Sequence, residues 1–207
     1  MKTIIGLGIC TLTILSSFIS CKKGDHDPFL SLKSRKARLE GSWTVTNQQV
    51  TEIVVNGGTT TNTSSIYDGT KEISTVTTTI GNNATTTVDT IYYSYTLTMT
   101  KDGSYSQLIK SQDLSSLTQT DGRWIFLHKD KTDKLKNKEA ILMTTTKTTI
   151  LNTGATNVVE YTDLNGKTIV IDELKSKEMI TIIEEDHHND DGLSSTTKTT
   201  KTVFTQK

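Results

Sequence analysis

Ile91-Tyr92-Tyr93-Ser94-Tyr95-Thr96-Leu97-Thr98-Met99 is the most regular stretch of the chain, and Thr100-Lys101-Asp102-Gly103-Ser104-Tyr105 follows it directly. Ile91, Tyr93, Tyr95, Leu97 and Met99 fall on one face. Tyr92, Ser94, Thr96 and Thr98 fall on the other. A strict period of two is the signature of a half-buried strand, because successive side chains of a strand point to opposite sides. Asp102-Gly103 between two such runs is a hairpin signal, since the turn needs residues that tolerate positive φ. Tyr105 to Lys110 continues the ladder on the far side of the turn.

The rest of the chain repeats this grammar. Trp43 and Val45 alternate with threonines at the start of a strand that runs to about Val55, and Asn56-Gly57-Gly58 closes it as a turn. Ile66 to Ile80 reads as one extended stretch with a kink or turn at Asp68-Gly69. Gly81-Asn82-Asn83 is a further hairpin signal. Asp121-Gly122 precedes a strand over Trp124 to His128, and Lys129 to Lys138 reads as a charged loop. Strands follow at Ala140 to Leu151, Val158 to Thr162, Thr168 to Leu174, Glu178 to Glu184 and Thr196 to Phe204. The one helical candidate is Phe29 to Glu40, with Phe29, Leu32 and Leu39 near helical spacing and Gly41 as its stop.

Composition agrees. Roughly one residue in five is threonine, and there is a single proline, Pro28. Threonine's restricted χ1 disfavours helices and suits strands. About nine or ten strands joined mainly by hairpins, with no strand–helix alternation, exclude a parallel sheet. Consecutive antiparallel strands in this number hide their edges by closing on themselves. The expectation is an all-β, antiparallel up-and-down barrel of about 8–10 strands, with a sandwich as the alternative.

The first twenty residues have a different character. Lys2 is followed by an apolar run from Ile4 to Leu15, too short to span a bilayer, which needs about 20 apolar residues. Phe18-Ile19-Ser20-Cys21 then resembles the lipobox of bacterial lipoproteins: a bulky apolar residue, a small residue before the cut, and a cysteine whose thiol takes a diacylglyceryl group. The resemblance implies a signal peptide over residues 1–20, lipidation of Cys21, and a lipidated polar tether over residues 21–28 ahead of a barrel domain over residues 29–207. More than one acyl chain makes membrane association effectively stable. Ten extended residues reach roughly 35 Å, so the domain stays near the bilayer. Lys22 stands where the resemblance would place an aspartate for retention in the inner membrane, so delivery to the outer membrane is expected. The side of that membrane stays open.

Leu39-Glu40-Gly41-Ser42-Trp43 resembles the G-x-W opening of lipocalins, with a helix before it in the matching place. Gly122-Arg123-Trp124, and Ile169 to Ile171 leading to Leu174 and Ile180, are similar to segments of bacterial lipocalin-like lipoproteins. The resemblance implies that Trp43 packs at the closed end of the barrel. A ligand-binding barrel would turn Tyr93, Tyr95, Leu97, Met99, Trp124 and Phe126 inward, around a space for a small hydrophobic ligand or lipid. The alternative is a filled barrel acting as a structural or interaction protein.

Several chemistries are excluded or unsupported. Of the two cysteines, Cys10 leaves with the signal and Cys21 is spent on lipid. The domain therefore has no disulfide, thiol nucleophile or cysteine-ligated metal. Basic and acidic residues balance at 23 each, with no extended basic face for nucleic acid. No Walker loop, G-x-S-x-G or H-E-x-x-H occurs, and nothing calls for a cofactor or marks an enzyme. Glu184-Glu185-Asp186-His187-His188-Asn189-Asp190-Asp191 is the one dense cluster of metal-capable groups. Adjacent strand residues diverge, so it reads as a solvated hairpin turn and not as a cation site. Asp89-Thr90-Ile91 resembles a bacterial O-glycosylation site, which would require an exposed strand edge.

Overall fold

The computed structural model describes residues 34–127, 139–162, 166–189 and 193–206. The signal segment, Cys21, the tether and the Lys129–Lys138 loop lie outside them. One short helix, α1 (Arg35–Leu39), precedes eleven strands: β1 (Gly41–Asn56), β2 (Thr59–Tyr67), β3 (Lys71–Ile80), β4 (Asn83–Met99), β5 (Ser104–Ser111), β6 (Ser116–Leu127), β7 (Glu139–Asn152), β8 (Ala155–Glu160), β9 (Gly166–Leu174), β10 (Glu178–His188) and β11 (Ser194–Gln206). Ser34 caps α1, its hydroxyl accepting from the Ala37 N–H at 3.1 Å.

Every strand pairing is antiparallel. The order is β6-β5-β4-β3-β2-β1-β11-β10-β9-β7-β8, and β6 also pairs with β7. That last pairing closes a ring of ten strands, with β8 lying against the outer half of β7. The chain is the closed antiparallel barrel that its alternation predicts.

The ring is not the same size at both ends. Gly41 to Thr44 of β1 pair directly with Met99 to Thr96 of β4. There the circuit has eight strands. Further along, β1 pairs with β2 from Gln48↔Tyr67 onward, and β4 pairs with β3 from Tyr92↔Lys71 onward. The β2–β3 hairpin is thus wedged between two strands that touch at the closed end. Its apex is Asp68-Gly69-Thr70. Asp68 Oδ1 accepts from the N–H groups of Thr70 and Lys71, both at 3.0 Å, and from the Thr70 hydroxyl at 2.8 Å. These bonds hold the Asp68 carboxyl below the usual carboxylate range. Gly69 takes φ +98°, and a side chain there would press on the Thr46 carbonyl. Thr46 sits in the bulge that breaks β1 between Val45 and Asn47. The apex and the bulge occupy the same fork. The expected single stretch from Ile66 to Ile80 is therefore two strands divided by a true turn.

Three other elements differ from expectation. β4 begins at Asn83, because the Gly81-Asn82 turn sets Ile80 opposite Asn83 and pairing continues from there. β6 begins at Ser116, well before Trp124, and Asp121-Gly122 lies inside it, opposite a bulge at Thr146 of β7. β10 runs on to His188, so Glu184 to His188 belong to a strand paired with β11 and not to a turn. Asp190 to Gly192 fall outside the described residues.

The core gathers at the closed end. Leu39, Trp43, Val45, Tyr67, Leu97, Met99 and Phe204 are among its contiguous buried members. Each large apolar side chain removed from water there contributes about 1.5–3 kcal/mol. The outer face is mixed: Arg123, Glu184, Asp186, Thr197, Thr199 and Lys201 are exposed on it, and so are Ile53, Ile66, Ile73 and Ile125.

Candidate functional site: the barrel interior

Alternation along β4 turns Tyr93, Tyr95, Leu97 and Met99 inward, while Trp124 and Phe126 turn inward from β6. The structure brings all six to one interior, but at two depths. Leu97 is 3% exposed, Met99 1% and Trp124 3%. These three lie in the packed floor with Trp43, Tyr105 and Met143. Tyr93, Tyr95 and Phe126 are half-buried and rest on that floor.

The floor is sealed from below by α1. Trp43 is wholly buried, and its Nε1–H donates to the Leu39 carbonyl at 2.8 Å. Arg38 Nη1 donates to the Leu174 carbonyl at 2.6 Å, and Arg35 forms a buried ion pair with Glu139. Trp124 donates to the Thr100 carbonyl at 3.1 Å, and Lys36 lies 5.8 Å from its ring centroid. Outside the floor, next to α1, Lys36, Lys101, Arg123 and Trp124 line an open cleft of about 520 Å³.

A tyrosine tier stands on the floor. Tyr67 stacks on Tyr93 with ring centroids 4.5 Å apart, and its hydroxyl donates to the Tyr93 carbonyl at 2.9 Å. The Tyr93 hydroxyl donates to Glu72 at 2.6 Å. Tyr95 meets Phe204 edge-on at 6.3 Å. Burial first, and then the hydrogen bond to Glu72, raises the Tyr93 phenol far above the ordinary tyrosine value. Burial does the same to Tyr95, with Tyr105 adding to it. Burial also raises Tyr67, and the Asp68 charge reinforces the shift.

This tier has a pH consequence. Below pH about 10 the folded and unfolded chains both keep these phenol protons, and stability is flat in this respect. Above it the unfolded chain releases protons that the fold retains, so the equilibrium moves toward unfolding. The urea midpoint is expected to fall steadily from about pH 10 upward. Tyr93→Phe removes one titrating group, so its slope over that window should be shallower than wild type. Parallel slopes would mean that the phenol of Tyr93 is not held protonated by the fold.

Above the tyrosines the interior turns polar. Gln48 Nε2 donates to the Thr202 hydroxyl at 2.9 Å, and Ser65 donates to Ser74 at 3.0 Å. Four charges of alternating sign then cross four strands: Glu52 on β1, Lys198 on β11, Glu185 on β10 and Lys167 on β9. Lys198 lies 3.8 Å from Glu52, and Lys167 lies 2.7 Å from Glu185. The hydrogen bond from Lys167 lowers the Glu185 carboxyl, and Lys198 adds to the effect. Sequence reasoning missed Tyr67, Glu72 and this charge row. The available signal was their parity on each strand, which puts them on the inner face once the registers are known.

Of the acidic and histidine cluster, Glu185 and His187 turn inward, and Asp186 meets His188 at 3.3 Å on the outer face. Among the described residues no group of three or more His, Cys, Asp or Glu side chains is arranged to hold a metal ion. Among the same residues no helix is long and apolar enough to cross a membrane. Asp89, Thr90 and Ile91 are all exposed on β4.

No protein-family model matches the chain. No curated protein matches it either. Among solved structures it is similar to a porin-like protein from Bacteroides uniformis, with 7% sequence identity over 79% of this chain and 96% of the other, at a TM-score of 0.27. At that TM-score the likeness carries no argument about the path of the chain or its role.

Proposed function

We propose that this is a lipid-anchored protein of the bacterial cell envelope whose lipocalin-like barrel is a filled, non-catalytic scaffold, presenting its polar, strand-built mouth to protein partners. The burial of Leu97, Met99 and Trp124 carries the reading. These are half of the residues expected to line a ligand cavity, and they are spent on the floor. The apolar floor supports a water-facing barrel: a membrane-spanning barrel keeps polar groups inside, whereas the interior of the closed end here is packed with apolar side chains. Phe18-Ile19-Ser20-Cys21 supports the anchor, and Lys22 supports outer-membrane delivery.

A second reading has one observation in its favour. Tyr93, Tyr95 and Phe126 are only half-buried. A small apolar molecule would have to sit on this tier, under the polar mouth.

Native mass spectrometry of the full chain, extracted from membranes in detergent, tests both parts. The expected species begins at Cys21, carries acyl chains on it, and holds no further non-covalent mass. A cleaved chain with unmodified Cys21 sinks the anchor. A copurifying small molecule sinks the filled scaffold and favours ligand binding.

A further inference from the structure

The long strand β4 leaves one edge bare over its first half. The last β5 partner of β4 is Ser111, opposite Tyr93. Gln112 then donates its N–H to the Tyr92 carbonyl at 3.1 Å, and the β5–β6 hairpin turns away. From Ile91 to Asn83, β4 continues with β3 on one side and, among the described residues, no strand on the other. All of these residues are exposed, Val88 by 65% and Ile91 by 52%.

Parity fixes which backbone groups face outward. Tyr93 donates its N–H to the Thr70 carbonyl, toward β3, whereas Tyr92 turns its carbonyl the other way. Ala84, Thr86, Val88 and Thr90 therefore direct their N–H and C=O groups to the bare edge. Only the Thr90 N–H is taken, by its neighbour Asp89 at 2.8 Å.

Bare edges are normally blunted by lysine, proline, a bulge or shortness. This one has a single charge, Asp89, and none of the others. It holds no basic residue and no proline, and its pairing with β3 has no register shift. The free half of β10, in contrast, carries Glu184, Glu185, Asp186, His187 and His188. β8 is only six residues long.

We infer that the Asn83–Ile91 edge of β4 pairs with the same edge of a second copy of this chain, antiparallel and two-fold symmetric about Thr87. The edge is complementary to itself in that register. Asn83 meets Ile91, Ala84 meets Thr90, Thr85 meets Asp89 and Thr86 meets Val88, so each open residue faces another, with the Thr90 N–H alone already engaged by Asp89. The only charge, Asp89, faces a threonine hydroxyl. Parallel pairing in register would crowd Asp89 against Asp89, which is unfavourable. A two-fold pairing of identical patches is the commonest closed assembly. The two closed ends then point apart, and the tethers let both barrels lie along one bilayer.

The test uses the two-fold itself. Thr87 has odd parity, so its pair across the axis is a non-hydrogen-bonded one, with Cα atoms about 4.5 Å apart, inside the range a disulfide needs. In the full chain expressed in cells, Thr87→Cys should give a reducible dimer under mild oxidation, at least about tenfold above Asn83→Cys, whose two copies sit roughly 26 Å apart in this register. Each variant is scored as its excess over wild type, which reports separately any disulfide through an unacylated Cys21. Adding Val88→Pro, which deletes an edge N–H without touching the β3 ladder, should return the dimer to the Asn83→Cys level. Val88→Lys serves the same purpose should the proline variant fail to fold. Equal cross-linking at 83 and 87, or dimer insensitive to both Val88 changes, overturns the pairing.

Discussion

Trp43→Ala is expected to lower the unfolding free energy by about 3–5 kcal/mol, enough to unfold many single domains outright. The indole is wholly buried at the point where β1 leaves α1 and joins β4. Removing it deletes one of the two largest side chains of the floor and empties the volume between Leu39 and the barrel wall. It also strips the Leu39 carbonyl of its donor. Both losses fall on the eight-stranded end, where neighbours are held by ladders on both sides and collapse poorly into a gap. Urea unfolding of the variant should show a much lower midpoint with an unchanged slope. Trp43→Phe should recover the packing but not the hydrogen bond, and fall between. A wild-type midpoint for Trp43→Ala would mean that the floor is not the seat of stability.

Gly122→Ala should be nearly as damaging although it adds one methyl group. That methyl would overlap the Thr144 carbonyl of β7, far inside van der Waals contact, and meet the Tyr105 ring at 2.6 Å. The carbonyl belongs to the adjacent strand and cannot move without opening the β6–β7 pairing, which closes the ring. Tyr105 covers the glycine from inside, and its hydroxyl is tied to Thr145 at 2.9 Å. Overpacking usually costs about 1–3 kcal/mol; here a backbone clash places the effect at or above about 3 kcal/mol. Pairing Gly122→Ala with Tyr105→Leu separates the contributions. The ring contact should be relieved and the carbonyl contact should remain, giving partial recovery in the same unfolding measurement. Full recovery would assign the whole effect to Tyr105.

These residues show what the chain spells out and what it conceals. The period of two from Ile91 to Met99 states a half-buried strand outright, and the turn dipeptides count the hairpins. Asp121-Gly122 shows the limit of that vocabulary. Its composition is that of a turn, yet its role is to let a tyrosine ring and a neighbouring carbonyl approach. Asp68-Gly69 is ambiguous in the other direction, because the fork that accommodates it is made by a bulge at Thr46, far back in the chain. The stretch from Glu184 to His188 reads as solvent-facing for its charge. It is a strand because it continues the β11 ladder, with Lys198 in register with Glu185, and Glu185 takes its ion pair from Lys167 of β9. Parity alone gathered the six inward residues of β4 and β6. It could not show which of them meet partners across the barrel. Leu97 and Trp124 are sealed by side chains from strands distant in sequence, while Tyr95 is left half-open. The row from Glu52 to Lys167 was invisible for the same reason.

The fork at Asp68-Gly69 makes the molecule a funnel. Barrel diameter grows with strand number, and here the number rises from eight to ten between one end and the other. The narrow end keeps its own closure through β1 and β4 without help from the inserted hairpin. Insertions or deletions in β2 and β3 can therefore resize the aperture while the sealed base stays as it is. Variation in width, and in whatever the mouth admits, is separated from the cost of folding.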